Sequence, residues 1–67
     1  MIKISVNGEL RQVSAGSTLA DLLLELGIGE RRLAVECNRE IVKKEQYGQT
    51  ALGEGDVLEI IEFVGGG

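Results

Sequence analysis

Ile2, Ile4 and Val6 alternate with Lys3, Ser5 and Asn7, the period of a strand with one buried face. Asn7-Gly8 follows, the pair favoured where both central residues of a two-residue hairpin take positive φ. Glu9 to Val13 returns as a second strand. Its alternation is imperfect, because Leu10 and Val13 fall on opposite faces. That predicts either a bulge or one exposed apolar residue. Ser14-Ala15-Gly16-Ser17 is a break. Ser17 or Thr18 can cap a helix, and Thr18-x-x-Asp21 approximates a capping box with Asp in place of Glu. Leu19, Leu22, Leu23 and Leu26 then recur at i, i+3, i+4 and i+7, one apolar helical face. Gly27 is placed to end that helix in a left-handed cap. A helix of about nine residues is marginal alone in water, so its leucines must pack on a sheet.

Leu33 to Cys37 has the pattern of a third strand, and Asn38-Arg39-Glu40 turns it into a short fourth, Ile41-Val42. Lys43 to Gly48 is polar apart from Tyr47 and predicts a loop or a single turn. Gly53-Glu54-Gly55-Asp56 is a glycine-rich turn, and Val57 to Phe63 is the last strand. In that strand Leu58 and Ile60 share one face, while Glu59, Ile61 and Phe63 share the other. Two hairpins around one helix predict an α+β layer pair. With the last strand set beside the first, this is a ubiquitin-like β-grasp: a mixed four- to five-stranded sheet packed on one helix. The expected organisation is a single domain over 1–63 and a flexible C-terminal glycine tail over 64–67.

Composition narrows the function. Sixty-seven residues make one small domain, with little apolar material to spare for an enclosed pocket. The absence of His excludes Ser-His and Cys-His nucleophile pairs and imidazole metal ligands. A single Cys excludes an internal disulfide, a CxxC redox pair and a thiolate zinc site. These counts argue for a binding or carrier role, with no catalytic or metal residues. No apolar run exceeds three residues, so no bilayer span or membrane role is expected. The unpaired Cys fits a reducing compartment, and the expected location is cytoplasmic.

The net charge of −4 is uneven. Residues 45–67 hold Glu45, Glu54, Asp56, Glu59 and Glu62 and no Lys or Arg. Nucleic-acid binding is disfavoured, since phosphates need a basic patch. A basic protein partner docking at this end is the natural complement, and simple solubilisation of the surface is the alternative.

Chemistry concentrates at the last residues. Ten glycines are roughly double the usual share of about 7%, and three of them are Gly65-Gly66-Gly67. Without Cβ atoms, Gly65 and Gly66, with Val64 before them, can thread a channel too narrow for side chains and bring the Gly67 carboxylate to a partner's active site. A frayed end is the alternative. Ile61 and Phe63 either pack under a loop or form an exposed docking patch at the root of this tail, with Glu59 and Glu62 beside them. Cys37 is expected to be a small strand or core residue with no base to activate it. Gly53 and Gly55 precede a strand, so they serve a turn and not a phosphate loop.

The chain resembles the ThiS-type sulfur carriers of thiazole and thiamine biosynthesis. The resemblance spans essentially the whole length. It rests on the Ile-Lys-Ile-Ser-Val-Asn-Gly opening, the Ser-Thr-Leu-Ala-Asp-Leu-Leu helix start and the Val-Glu-Cys-Asn-Arg-Glu-Ile-Val hairpin. It continues through Leu52 to Ile60 and the Phe63-Val64-Gly65-Gly66-Gly67 end. One departure is Asn38-Arg39, where the family usually carries Asn-Gly. The resemblance implies a carrier acted on by partner enzymes. A ThiF-like enzyme would use ATP to adenylate the Gly67 carboxylate. Sulfur from a cysteine desulfurase or related donor would convert it to a thiocarboxylate, and a ThiG-like thiazole synthase would take that sulfur. No cofactor is expected on the chain itself. Carriers for molybdopterin, cysteine or tRNA thiolation share this kind of chain, and a plain β-grasp interaction module is the rival from another class.

Overall fold

The computed structural model describes residues 1–29 and 32–63. In chain order it holds β1 (Ile2–Val6), β2 (Glu9–Val13), α1 (Leu19–Glu25), β3 (Leu33–Cys37), β4 (Glu40–Val42), a 3-10 helix (Lys44–Gln49) and β5 (Val57–Glu62).

The first hairpin turns at Asn7 and Gly8, whose φ values of 50° and 85° meet the double left-handed requirement of its tight turn. Pairing then runs residue for residue from Val6↔Glu9 to Ile2↔Val13, with no bulge. Leu10 is accordingly the exposed apolar residue, at 80%. The inward positions of β2 are Glu9, Arg11 and Val13, opposite Val6, Ile4 and Ile2. Arg11 is half-buried, its aliphatic stem taking the place of an apolar side chain at the rim of the core.

The helix starts where its cap directs. Thr18 Oγ1 accepts the Asp21 N–H at 3.2 Å, and the Asp21 carboxylate accepts the Thr18 N–H at 2.9 Å. Losing such a cap typically costs about 1 kcal/mol. The helix is seven residues, two shorter than its pattern suggests, because Thr18 and Leu26 serve as its caps, and Gly27 at φ 75° follows as expected. The Gly27 N–H donates to the Leu24 carbonyl and the Ile28 N–H to the Leu23 carbonyl, a Schellman ending. The polar stretch after β4 forms the 3-10 helix, and Tyr47 from it packs on the core. The following residues are stitched to the helix start: the Leu19 N–H donates to the Thr50 carbonyl and the Leu52 N–H to the Ser17 carbonyl, both at 2.9 Å.

The sheet order is β2-β1-β5-β3-β4, with β5 parallel to β1 and antiparallel to β3. This is the β-grasp arrangement. Ile4 and Val6 of β1, Val35 of β3 and Leu58 of β5 are buried against Leu19, Leu22 and Leu23 of the helix.

The second hairpin departs from the usual turn chemistry. Asn38 and Arg39 both adopt positive φ, 53° and 71°. Asn tolerates that region, whereas a left-handed Arg costs roughly 1–2 kcal/mol. Arg39→Gly removes this strain and gives back part of it as unfolded-state entropy. The expected net gain is about 1 kcal/mol, or roughly 4–8 °C in Tm for a domain of this size. Urea and thermal unfolding check it; an unchanged or lower midpoint would mean that Arg39 makes a compensating contact.

Candidate functional site

The end of β5 is built by two unequal supports. On one side β3 follows it throughout: Glu36↔Glu59, Val35↔Ile60, Ala34↔Ile61 and Leu33↔Glu62 are paired, and the Phe63 N–H donates to the Arg32 carbonyl at 3.0 Å. On the other side β1 pairs only as far as Val6↔Leu58. There Asn7 takes over. Its main-chain N–H donates to the Leu58 carbonyl at 2.9 Å. Its side-chain Oδ1 accepts the Ile60 N–H at 2.7 Å, and its Nδ2 donates to the Ile60 carbonyl at 3.1 Å. At the start of β5, Asn38 acts in a similar way: its Oδ1 accepts the Val57 N–H at 2.9 Å and its Nδ2 donates to Asp56 Oδ1 at 3.1 Å.

The alternation of β5 sorts the candidate docking residues. Glu59 and Ile61 project from the face away from the helix, where Ile61 is 53% exposed. Phe63, one residue beyond the strand, is 58% exposed. No loop among the described residues covers either apolar side chain. Glu62 instead shares the inward parity of Leu58 and Ile60, on the side of a cleft of about 270 Å³ that Arg11, Leu26 and Ile28 also line. Thus Glu59 and Ile61 lie on one surface and Glu62 on the other. Val64, Gly65, Gly66 and Gly67 lie outside the described residues.

Two features were not visible in the sequence pattern. Glu36 and Glu59 stand directly opposite each other on the outer face, and like charges so placed weaken a sheet. Ile41, paired with Glu36, is exposed beside them. The other feature is the double role of Asn7 and Asn38. Their place before Gly8 and Arg39 announces turns, but only the sheet order reveals that their amides reach β5.

Cys37 is half-buried at the end of β3 and packs against the core. Burial, with the Asp56 and Glu40 carboxylates adding to it, raises its thiol pKa above the ordinary value. Among the described residues no group of three His, Cys, Asp or Glu side chains could hold a metal ion. No helix among them is long and apolar enough to cross a membrane.

Comparison with known proteins adds the following. The model of the ThiS family matches residues 4–67. A thiazole synthase of Paramagnetospirillum magneticum is 52% identical over 66 residues, which are 98% of this chain and 20% of that protein. The chain therefore spans about a fifth of the length of the thiazole synthases it matches. The sulfur carrier protein ThiS of Bacillus subtilis is 44% identical over 50 residues, 75% of this chain and 76% of that one. The crystal structure of a thiamine biosynthesis protein, ThiS, from Geobacter metallireducens superposes with a TM-score of 0.83 at 29% identity, covering 98% of this chain and all of that one.

The environment of Cys37 carries a prediction. A thiol held protonated by burial and two carboxylates is a poor nucleophile near neutral pH, because only the thiolate reacts. Alkylation of the folded protein at pH 7–8 should run slower than that of a free thiol, and rise to the free rate in denaturant. Equal rates in the folded and unfolded chain would contradict this placement.

Proposed function

The chain belongs to the ThiS family of sulfur carriers, and on that premise we propose that it carries sulfur as a thiocarboxylate on Gly67 for thiazole formation. A carboxylate is a poor electrophile. Adenylation by an ATP-dependent, ThiF-like partner gives it a good leaving group; the terminal sulfur of a persulfide on a cysteine desulfurase or related donor then displaces AMP, and a thiol reductant cleaves the resulting acyl disulfide to leave the thiocarboxylate. The carrier supplies a docking surface, reach and the reacting terminus. ATP and the sulfur donor are handled by the partners, with no cofactor on this chain.

The observation that supports this most is continuity. The family match runs through Gly67, and β5 leads directly toward those residues with Ile61 and Phe63 exposed at their root. Val64, Gly65 and Gly66 would enter the partner's channel, with the two glycines at the part too narrow for a side chain. Glu59, Ile61 and Phe63 would make the outer docking face, with Glu62 meeting the partner from the helix side. Among possible acceptors, a ThiG-like thiazole synthase is favoured over the molybdopterin, cysteine or tRNA-thiolation systems. In the matched relatives, a unit like this one forms a fifth of a thiazole synthase chain.

Incubation with ATP, the ThiF-like enzyme, a cysteine desulfurase, cysteine and a thiol reductant should raise the intact mass by the difference between sulfur and oxygen. Gly66→Ala should slow that conversion about tenfold or more, since small displacements of a reacting atom cost that much, while leaving Tm unchanged. A wild-type chain that gains no mass would sink the carrier reading, and an unfolded Gly66→Ala variant would contradict a tail outside the core. Glu59→Gln gives effects of opposite sign. It relieves the repulsion with Glu36, so the unfolding midpoint should rise slightly. Association with the adenylating enzyme should weaken and become less salt-dependent. Unchanged binding at low salt would remove Glu59 from the interface.

A further inference from the structure

We infer that Asn7 is a positioning residue for the tail, its side chain serving as the strand residue that β1 lacks and fixing the direction in which β5 runs on after Ile60. The inference rests on the carrier reading for its consequence and on the geometry at Ile60 for its cause. β1 must end at Val6, because the chain turns at Asn7 and Gly8. β5 continues to Glu62, well past its last β1 partner at Leu58. The Ile60 N–H and carbonyl both face the side that β1 has vacated, and both are met by the one carboxamide of Asn7. A primary amide offers the same donor and acceptor as a peptide group, so it adds one more rung to the parallel ladder.

The residue type matters. A tight turn with two left-handed residues accepts Asn, Asp or Gly at its first position. Asp supplies no donor for the Ile60 carbonyl, and Gly supplies nothing. Asn alone of the three satisfies the turn and both main-chain groups of Ile60. From Ile61 onward the ladder runs on β3 alone, through Ala34, Leu33 and Arg32. Ile60 is therefore the last residue of β5 whose main chain is met from the β1 side by the hydrogen bonds described here. A tail whose root is already fixed leaves less freedom to be lost when a partner takes it.

Asn7→Gly keeps the positive φ of the turn and deletes only the clamp. Amide hydrogen exchange should show protection at Ile60 falling about tenfold or more, with Val35 and Leu58 much less affected. With the ATP-dependent adenylating enzyme, the KM for the carrier should rise roughly fivefold and kcat should hold, the mark of lost ground-state ordering. Thr18→Ala is the control. It removes a cap at the helix start, lowers global stability comparably and should leave KM unchanged. Wild-type protection at Ile60 in Asn7→Gly, or a KM shift no larger than that of Thr18→Ala, would overturn the inference. A wild-type chain that is not adenylated at all would instead overturn the carrier reading and the consequence drawn from it. The exchange measurement would still decide whether Asn7 holds Ile60.

Discussion

The structure depends on β5 being inserted between two hairpins that were complete without it. β1 with β2, and β3 with β4, each close locally through a tight turn. Neither can bury its inward residues alone, since an isolated hairpin is marginal in water. The last strand joins them, parallel to one and antiparallel to the other, and places Leu58 at the centre of the core with no exposed surface. The parallel pairing Ser5↔Val57 spans most of the chain, so its loop-closure entropy must be met before the contact contributes anything. The helix offsets that cost by covering the seam: Leu22 and Leu23 are buried against β1, β3 and β5 residues alike.

Both hairpin turns are recruited to this strand. Asn38 takes the Val57 N–H near the start of β5, and Asn7 takes both main-chain groups of Ile60 nearer its end. Asn is suited to this because it tolerates the left-handed region and its short amide copies a peptide group. The same choice explains why Arg39 is tolerated beside Asn38. Asn38 already anchors the turn to β5 through its own N–H, donating to the Val57 carbonyl at 2.8 Å, and through its side chain, so the left-handed Arg is held in place by its neighbour.

Strand and helix periodicity made most of this fold legible. The Ile2/Ile4/Val6 alternation, the Thr18 capping box, the leucine face and the Gly27 stop each state a local rule that the packing then obeys. The sequence pattern was weakest where a rule was met by an unexpected residue type. Arg11 occupies an inward position because a long aliphatic stem can line the rim of a small core, which left β2 without clean alternation. The 3-10 helix lacks an apolar period, and its position is set by main-chain bonds on either side of Thr18 and Ala51 that no local pattern encodes. At the site, parity within β5 put Ile61 and Phe63 on the face away from Leu58 and Ile60 but left open whether a loop covers them. The parity of Glu62 was legible too, since it is three positions from Glu59, but shared charge had grouped the two. The Glu36↔Glu59 opposition and the reach of Asn7 depend on which strands are neighbours, and that is a property of topology.

The outer face shows how a chain this short divides its resources. Its inward residues are nearly all committed to one core, as a domain near this size must commit them to exceed its ordering entropy. The opposite face carries features that weaken the fold or contribute nothing to it: two glutamates set across from each other, with Ile41 and Ile61 uncovered beside them. A surface shaped for stability alone would pair Glu36 with a cation and keep large apolar side chains off the sheet's open side. A partner that brings a cation and apolar surface would turn the repulsion into attraction and bury the two isoleucines in one step. The same partner would then stand beside Ile60, whose main chain Asn7 meets, and close to Phe63. On the proposed function, recognition and delivery of the tail would both be attached to β5, the strand on which the whole sheet depends.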